Sequence, residues 1–502
     1  MAFELAAFEG LSFSVAMTAE TDAALGAHVH KPGLQEDLTF AYWRPSRGRH
    51  RYSAILERLE MPGEGDRVLQ GNVSFLPAYL RRVLAGTPSG SGIALLHGHL
   101  GPGWQGMSED DVVAERDRLA GAVAGRTGLP VVGLTRGTDG TWSARIWPRQ
   151  GPRSYARIWA SDVRVVGRHL RISRPPAPPT APSPRQVATA SVWGREAQAA
   201  LAAVRVGIIG LGSVGSLVAE ALARTGVSHL TYVDFDRIEE RNLDRTLGAT
   251  SSDALVHTSK VDVALRTGLA SATAQPADFQ AANVSLLQAE GLGIALDCDV
   301  LFSCVDRPLP RHVLNAIAYG HLIPVIDGGA LARVRSDGRP LHIDWRIHTV
   351  GPDRTCLVCL GALRRSDVAL DREGRLDDPD YIRNLPPAER EAVGRRNVFA
   401  FAMSVAAHEA VQFAGLVTGF PQVGGSAPQF YHAFPGRMDV LPDSGCEEEC
   451  EYRALLASAP DLTSNLVVPT AAVVRASEPA APSSLVHRLR ARGRRFLGRG
   501  RL

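Results

Sequence analysis

The segment Val206–Arg245 reads VGIIGLGSVGSLVAEALARTGVSHLTYVDFDRIEERNLDR and decides the fold of this chain. Its first four residues form a short apolar run of the buried-strand type. The turn that follows carries Gly210, Gly212 and Gly215, and Ser216–Arg224 then shows a helical apolar period. A strand, a glycine turn and a helix in this order predict an α/β fold that binds phosphates at the helix N-terminus.

A second predicted strand, Leu230–Val233, ends at Asp234. In dinucleotide-binding folds an acidic residue at about this distance binds the ribose hydroxyls. NAD and ATP fit these features equally well, so the choice between them depends on the residues that follow.

Several polar and charged residues in and after this segment are not needed by a dehydrogenase. They are Asp234, Asp236, Asn242, Arg245, Lys260 and Asp306. In this order they resemble the ThiF/E1 superfamily, whose enzymes adenylate the C-terminus of ubiquitin-like proteins, and the resemblance covers roughly Arg185 to Cys450. It implies ATP and Mg²⁺ as ligands. An NAD-dependent oxidoreductase would explain the glycine turn but neither Lys260 nor the cysteine pairs described below.

The resemblance implies a role for each residue of this set. Asp234, in an Asp-x-Asp pair with Asp236, would bind ribose, and Asn242 and Arg245 would contact the phosphates. Lys260 would stabilise charge on the α- and β-phosphates, and Asp306 would organise Mg²⁺. These roles suit the chemistry, because attack of a carboxylate on the α-phosphate depends mainly on cationic stabilisation and positioning.

Two residues add to the resemblance. Lys260 is one of only two lysines in the chain, the other being Lys31, so a lysine at the family's position is informative. Arg185 resembles the family's N-terminal arginine that reaches into the ATP site of a partner subunit, which implies a homodimer.

Length and composition indicate a multidomain globular protein. With 502 residues, 45% of them hydrophobic, we expect two or three domains with packed cores. We expect a cytoplasmic protein without a membrane span, because the N-terminus has no basic region and no long uncharged apolar run is present. The expected domains are 1–173 and 185–460, joined by the Pro/Ala-rich linker 174–184. We expect 461–502 to be a disordered tail whose basic end does not bind nucleic acid.

The N-terminal domain carries a second motif in residues 91–115, SGIALLHGHLGPGWQGMSEDDVVAE. His97-x-His99 lies at the end of an apolar strand, and Ser108-x-x-Asp111 lies at the start of a predicted helix. Two imidazoles and a carboxylate can hold zinc and leave its fourth position open. The motif resembles the JAMM/JAB (MPN) metalloproteases, which implies a catalytic zinc on His97, His99 and Asp111, with Ser108 supporting the oxyanion.

Some positions of this motif stay open. Glu36 is the candidate general base that the resemblance calls for upstream. Asp111 keeps the Ser-x-x-Asp spacing, whereas Asp110 keeps the family's His-to-Asp distance, and we favour Asp111. His28-x-His30 lacks a following Ser-x-x-Asp and is interpreted as structural.

Four of the six cysteines are paired, as Cys356-x-x-Cys359 and Cys446-x₃-Cys450. Four thiolates fill the coordination of zinc, so a zinc ion held there would be structural. The pairs resemble the zinc knot of E1-like domains. Cys298 and Cys304 lie in a predicted strand within Asp297–Asp306, DCDVLFSCVD, where we expect them to be buried.

The segment Leu360–Ala400 contains no cysteine. E1 enzymes that form a thioester carry one there, after the first zinc pair. The chain would therefore stop at the acyl adenylate, pass it to an external nucleophile, or use a hydroxyl. Ser366, the only Ser or Thr in this segment, is the candidate acceptor of an oxyester.

Together these features predict a bacterial-type fusion of an α/β JAMM/MPN deubiquitinase-like peptidase with a Rossmann-like ThiF/E1 adenylation domain that has a structural zinc knot. The peptidase would cleave at the C-terminus of a ubiquitin-like protein, and the second domain would adenylate its C-terminal Gly. An E2-like protein is a further expected partner. The alternatives are processing and activation of a sulfur carrier for biosynthesis, or a scaffold with degenerate sites.

Overall fold

The computed structural model describes residues 4–31, 35–70, 72–177, 183–334, 340–384, 398–420, 427–463 and 466. Two large sheets organise these residues, one of nine strands before the linker and one of eight strands after it. The basic end of the predicted tail, 467–502, lies outside the described residues.

The N-terminal sheet has the order β13-β10-β9-β8-β4-β5-β1-β14-β15. Its strands and the small hairpins beside it are β1 (Ser12–Thr18), β2 (His30–Lys31), β3 (Gln35–Glu36), β4 (Leu38–Arg47), β5 (Arg51–Glu60), β6 (Arg67–Gln70), β7 (Asn72–Phe75), β8 (Gly92–Gly98), β9 (Val131–Arg136), β10 (Trp142–Trp147), β11 (Arg149–Gly151), β12 (Ser154–Tyr155), β13 (Ile158–Trp159), β14 (Asp162–Val166) and β15 (Leu170–Ser173). The helices are α1 (Ala19–Val29), α2 (Pro77–Ala85), α3 (Glu109–Val112) and α4 (Ala120–Thr127), with a 3₁₀ turn at Leu5–Phe8 and a π-helical segment at Val113–Leu119.

The C-terminal sheet has the order β18-β17-β16-β19-β20-β21-β22-β23. Its strands are β16 (Arg205–Ile209), β17 (His229–Val233), β18 (Asp278–Ala282), β19 (Val300–Ser303), β20 (Val325–Val334), β21 (Pro340–Val350), β22 (Gln429–His432) and β23 (Arg437–Val440). The helices are α5 (Val187–Trp193), α6 (Arg195–Ala202), α7 (Ser213–Thr225), α8 (Ser251–Val256), α9 (Lys260–Ser271), α10 (Ala289–Leu296), α11 (Pro308–Gly320), α12 (Arg365–Arg372), α13 (Pro379–Asn384), α14 (Phe399–Thr418) and α15 (Glu451–Ala454), with 3₁₀ turns at Pro184–Gln186, Glu240–Asn242 and Arg375–Asp377.

Five neighbouring strands of this sheet are parallel to one another, namely β18, β17, β16, β19 and β20. The remaining strands, β21, β22 and β23, pair antiparallel. Strand β16 has β17 on one side and β19 on the other. Successive strands are therefore added first on one side of β16 and then on its other side, which makes β16 the switch point of the topology. In open α/β sheets ligands bind at the carboxyl ends of the strands beside such a switch point. The α/β class is therefore as predicted, and the glycine turn follows the strand at the switch point.

Strand β19 is shorter than the sequence suggests. It covers Val300–Ser303, so Cys298 precedes it and Cys304 follows it. The prediction that both cysteines lie within the strand is wrong, because the apolar run continues past the residues that pair in the ladder.

The two sheets meet across a buried ionic cluster. Arg51 at the start of β5 binds Asp299 just before β19, with Nη1 2.6 Å from Oδ1. Arg205 at the start of β16 bridges Asp299 and Asp162, the first residue of β14. The linker thus joins units that contact each other directly. The part of the linker at 178–182 lies outside the described residues.

Helix α14 is the one described helix whose length and composition would allow it to cross a membrane. Half of its most apolar stretch is buried inside the protein, where Val405, Phe413 and Leu416 join the core beside α7. The burial is that of a core helix.

Candidate nucleotide site and metal centres

The glycine turn between β16 and α7 cannot accept side chains at two of its positions. Gly210 has φ +93°, and a Cβ on Gly215 would lie 1.8 Å from the carbonyl oxygen of Gly210. Gly212 is different, because a Cβ there would meet nothing within 4 Å. It is the residue before α7, so open space faces the helix N-terminus, where backbone N–H groups and the helix dipole favour an anion.

The Asp234 carboxylate holds this turn together. Its Oδ2 accepts a hydrogen bond from the Leu211 N–H at 2.6 Å, and its Oδ1 accepts one from the Asp236 N–H at 2.7 Å. Burial raises the pKa of Asp234. The structure thus gives Asp234 a local structural role, and ribose binding by Asp234 stays a prediction.

Lys260 lies beside this turn as the first residue of α9, which Ser259 caps. Its Nζ is 2.7 Å from Oδ2 of Asp236. Burial alone would lower the pKa of Lys260, but the carboxylates of Asp234, Asp236 and Asp306 raise it. The fold therefore brings four predicted residues, from three separate segments of sequence, to one edge of the sheet.

The loop that carries Asn242 and Arg245 packs on the start of α7, where the Leu247 N–H donates to Oγ of Ser216 at 3.1 Å. Asn242 Oδ1 accepts from the Glu239 N–H at 2.9 Å and so shapes the loop. Arg245 Nη1 is 2.9 Å from Oδ1 of Asp244. Their loop thus contacts α7 through Leu247, and the contacts of Asn242 and Arg245 with phosphate stay predictions.

Two other predicted residues lie elsewhere. Arg185 Nη1 donates to the carbonyl of Ala272, at the end of α9 opposite Lys260. Ser366 is exposed near the start of α12, and its neighbour Arg365 binds Glu451 beside the cysteine cluster. The structure does not bring either residue to the Lys260 cluster.

Sequence reasoning missed a buried carboxylate at the same edge of the sheet. Asp327 in β20 is fully buried and accepts from Ser303 Oγ at 2.7 Å and from both Arg311 and Arg346. These residues carry no local motif, and only the pairing of β19, β20 and β21 makes them neighbours. They link the carboxyl end of β19 to β20, β21 and α11.

The N-terminal domain brings His97, His99 and Asp111 together. His97 Nε2 is 3.2 Å from His99 Nε2 and 3.1 Å from Asp111 Oδ1, and His99 Nε2 is 3.3 Å from Asp111 Oδ2. The edge of a tetrahedron of ligands about zinc, at about 2.1 Å from the metal, is about 3.4 Å. The three ligand atoms therefore fit a zinc ion, and its fourth position would remain open.

Asp111 is held in place by the helix start. Ser108 caps α3: its Oγ accepts from the Asp111 N–H at 3.1 Å, and its N–H donates to Asp111 Oδ2 at 2.8 Å. Burial would raise the pKa of Asp111, but hydrogen bonds from His97 and His99 hold it well below its usual range. It is thus the Asp111 carboxylate that lies at the imidazoles, whereas Asp110 is exposed.

Glu36 lies on the same side of the domain. It pairs with His30 in the β2–β3 hairpin, and His30 Nε2 is 3.2 Å from the carbonyl of His99. The Asp111 hydrogen bond raises the pKa of His99, and the Glu36 carboxylate adds to this shift. His28 Nε2, by contrast, is 3.0 Å from the carbonyl of Leu38. The pair His28 and His30 therefore supports the backbone around the centre.

The cysteine pairs also converge. The sulfur atoms of Cys356, Cys359, Cys446 and Cys450 all lie within 4.8 Å of one another, and Cys356 Sγ is 3.6 Å from Cys450 Sγ. Thiolates about 2.3 Å from zinc would be about 3.8 Å apart. The donor set therefore fits a closed zinc site, although the second pair has three residues between its cysteines instead of two.

Of the two remaining cysteines, Cys298 is buried as predicted, whereas Cys304 is half-buried. Burial raises the pKa of Cys298 to about 12, and it raises the pKa of Cys304 well above its usual value. Cys304 packs behind the glycine turn, because a Cβ on Gly215 would be 3.1 Å from Cys304 Cβ. Neither thiol is prepared for nucleophilic chemistry.

Comparison with known proteins bears on the second half of the chain. Residues 184–430 match the ThiF family. This segment is a ThiF-family domain. The match begins at residue 184, so it does not bear on residues 1–173, and the JAMM/MPN resemblance there stays a prediction.

Two curated relatives illustrate the similarity. The chain is 32% identical over 168 residues to the molybdopterin-synthase adenylyltransferase of Escherichia coli, a match covering 34% of this chain and 63% of that protein. It is 32% identical over 158 residues to the adenylyltransferase and sulfurtransferase uba4 of Aspergillus fumigatus, covering 32% of this chain and 31% of that protein. The chain thus spans less than two thirds of each relative.

Among solved structures, Escherichia coli MccB with ATP matches 51% of this chain and 69% of that chain, at 17% identity and a TM-score of 0.38.

Proposed function

We propose that the ThiF-family domain adenylates the C-terminal carboxylate of a small ubiquitin-like protein of the sulfur-carrier type, using ATP and Mg²⁺. The main support for this proposal is the position of Lys260 among Asp234, Asp236 and Asp306, beside the glycine turn. Lys260 is the only lysine of this domain. The names of the relatives, molybdopterin-synthase adenylyltransferase and adenylyltransferase and sulfurtransferase, favour a sulfur carrier over a conjugated modifier. A modifier passed to an E2-like protein is the second candidate.

The reaction requires stabilisation of negative charge on the phosphates. An oxygen of the C-terminal carboxylate forms a bond to the α-phosphorus of ATP, the bond from that phosphorus to the bridging oxygen breaks, and pyrophosphate leaves with the electron pair. Negative charge on the phosphate oxygens would be stabilised by the Lys260 ammonium and by the N-terminus of α7. Mg²⁺ near Asp306 would neutralise phosphate charge further.

Exchange of labelled pyrophosphate into ATP tests the reaction. We expect exchange only when a ubiquitin-like protein with a free C-terminal Gly-Gly is present. Lys260→Ala and Asp306→Ala should each reduce exchange by about 10²-fold or more, because each removes a group that stabilises or positions charge in the transition state. The matched control is Asp278→Asn, an exposed carboxylate at the start of β18, which should keep full exchange. Tight binding of NAD without exchange would overturn the proposal.

The role proposed for Arg185 requires a second subunit. Helix α9 separates Arg185 from Lys260, and its 12 residues span about 18 Å at 1.5 Å per residue. Arg185 would therefore complete the site of a partner in a homodimer. Mixing Arg185→Ala with Asp306→Ala should restore exchange at one composite site, and absence of this complementation would indicate a site complete within one chain.

We infer further that the N-terminal domain is a zinc peptidase acting on the same C-terminal tail. Support comes from the triangle of His97, His99 and Asp111, whose ligand atoms are spaced for zinc. Zinc held there would supply a Lewis acid and lower the pKa of a water molecule. Glu36 would accept the proton of that water, and Ser108 would support the oxyanion.

Cleavage of a ubiquitin-like protein extended beyond its Gly-Gly, in the metal-loaded full chain, tests this second activity. We expect the extension to be removed, and we expect His97→Ala to abolish its removal. A wild-type protein that holds zinc but leaves a panel of such precursors intact would contradict the peptidase and leave adenylation unaffected.

A further inference from the structure

A buried ion pair lies beneath the histidine centre. Glu115, in the π-helical segment after α3, and Arg145, in β10, are both fully buried. Arg145 Nε is 2.9 Å from Glu115 Oε2, and Arg145 Nη2 contacts the other carboxylate oxygen. Trp147 Nε1 also donates to Glu115, at 2.7 Å. Because both charges are paired and hydrogen-bonded, the Arg145 side chain is held in one position.

The neighbouring strand makes room for this pair. A Cβ on Gly133 would lie 2.2 Å from both carboxylate oxygens of Glu115, so only glycine fits at this position of β9. Thr135 lies two residues after Gly133, on the same face of β9, and is fully buried. The fold therefore places Thr135 between the ion pair and the histidine centre.

Thr135 has a defined hydrogen-bond direction. Arg145 Nη1 donates to Thr135 Oγ1, because a guanidinium can donate but cannot accept. The single hydroxyl hydrogen of Thr135 is then available on the other side, where His97 Nε2 lies 3.4 Å from Oγ1. That nitrogen is one of the three proposed metal ligands. A hydroxyl that already accepts from a cation is a poor ligand for a second cation, so Thr135 can serve the centre as a donor.

We propose that Thr135 donates a hydrogen bond to an oxygen atom of the ligand bound at the open side of the His97–His99–Asp111 centre, and that Arg145 and Glu115 fix the direction of this bond. The ligand class is one that presents a carbonyl or hydroxamate oxygen to a metal ion. The inference rests on the proposed zinc centre. Thr135 is a positioning residue for that centre and lies outside the sequence motif that identifies it.

Acetohydroxamate is a suitable probe, because it binds zinc through oxygen atoms and needs no knowledge of the natural substrate. Its affinity for the zinc-loaded full chain can be measured by calorimetry. Thr135→Val keeps the shape of the side chain and removes the hydroxyl, and we expect it to weaken binding about tenfold while both zinc ions remain. Thr135→Ser keeps the hydroxyl and should bind as the wild type does.

The matched control is Ser143→Ala, which removes a buried hydroxyl of β10 directed at the Thr135 backbone. It should leave the affinity unchanged. Equal affinity in wild type and Thr135→Val, or equal weakening in Thr135→Ser and Thr135→Val, overturns the donor role of Thr135 and leaves the zinc centre standing. A wild-type protein without zinc at His97 and His99 and without acetohydroxamate binding overturns both proposals.

Discussion

The cysteine centre and the histidine centre differ in the number of ligands that the fold supplies. Cys356, Cys359, Cys446 and Cys450 fill all four positions of a tetrahedral ion. The histidine centre supplies three ligand atoms, and the Thr135 hydroxyl beside them already accepts a hydrogen bond from the Arg145 cation. A closed set stabilises structure, whereas an open set leaves a position for chemistry.

The two centres also differ in how far the surrounding backbone depends on the ligand side chains. The backbone N–H groups of Cys356 and Cys359 donate to sulfur atoms of the cysteine centre, so the loops around it depend on the thiolates. Asp111 of the histidine centre belongs to a helix start that Ser108 already caps. The loops of the cysteine centre should therefore need their metal to fold, and the histidine centre should not. The following predictions test this difference, from the largest effect on folding to the smallest.

Replacing Cys356 with Ser should have the largest effect on stability. Cys356 is fully buried, and loss of a zinc ligand removes metal-binding free energy that is also folding free energy. We expect zinc content to fall from two ions to one and the free energy of unfolding to fall by more than about 3 kcal/mol, measured by urea denaturation. Cys298→Ala, a buried cysteine outside the cluster, should keep both ions. Two zinc ions in the Cys356→Ser protein would contradict a four-cysteine site.

Replacing His97 with Ala should remove the other zinc ion at a smaller cost in stability. The Ser108 cap and the β8 ladder remain, so we expect the free energy of unfolding to fall by about 1–2 kcal/mol. Pyrophosphate exchange should stay within about twofold of wild type, since the electrostatic groups that promote it lie in the other unit. A loss of stability as large as that of Cys356→Ser would show that the histidine centre is structural.

Glu36→Gln should leave both zinc ions in place, because Glu36 is not one of the residues whose side chains form the two clusters of metal-ligand type. We expect stability to change by less than about 0.5 kcal/mol, as for most substitutions away from the core. Cleavage of an extended ubiquitin-like protein should fall by about 10²-fold or more, since a general base commonly contributes that much. Retained cleavage would mean that another group accepts the proton.

Alkylation at pH 8 should separate the two classes of cysteine without changing any residue. Because burial raises the pKa of Cys298 to about 12, only about one molecule in 10⁴ carries its thiolate at that pH. We expect Cys298 and Cys304 to stay unmodified by iodoacetamide in the folded protein, and the four clustered cysteines to react once a chelator removes zinc. An adduct with the ubiquitin-like protein that dithiothreitol cleaves from Cys298 or Cys304 would contradict this burial argument.

The prediction of an oxyester is separate from these. Ser366 is exposed and its hydroxyl contacts Asp367, so the structure gives no support for its attack on an adenylate beside Lys260. An adduct that resists thiols, yields to hydroxylamine and disappears in Ser366→Ala would nevertheless establish it.

Local patterns in the sequence were sufficient for the features that depend on backbone conformation or on short spacing. The glycine turn was predictable because Gly210 and Gly215 occupy positions that a side chain cannot share. The helix start at Ser108-x-x-Asp111 and the first cysteine pair follow from spacings of three residues. These features are local, so a few neighbouring residues determine them.

The tertiary structure alone decided which distant residues meet. The ion pair of Glu115 and Arg145, the donor Thr135, and the pairing of Asp327 with Arg311 and Arg346 have no sequence signature, because each joins side chains from different strands and helices. Burial of a charge is costly unless a partner is present, and the partner is supplied by the packing of the sheets rather than by the neighbouring sequence. The sequence by itself determined the glycine turn and the residue types of the two clusters, whereas the fold decided what surrounds them.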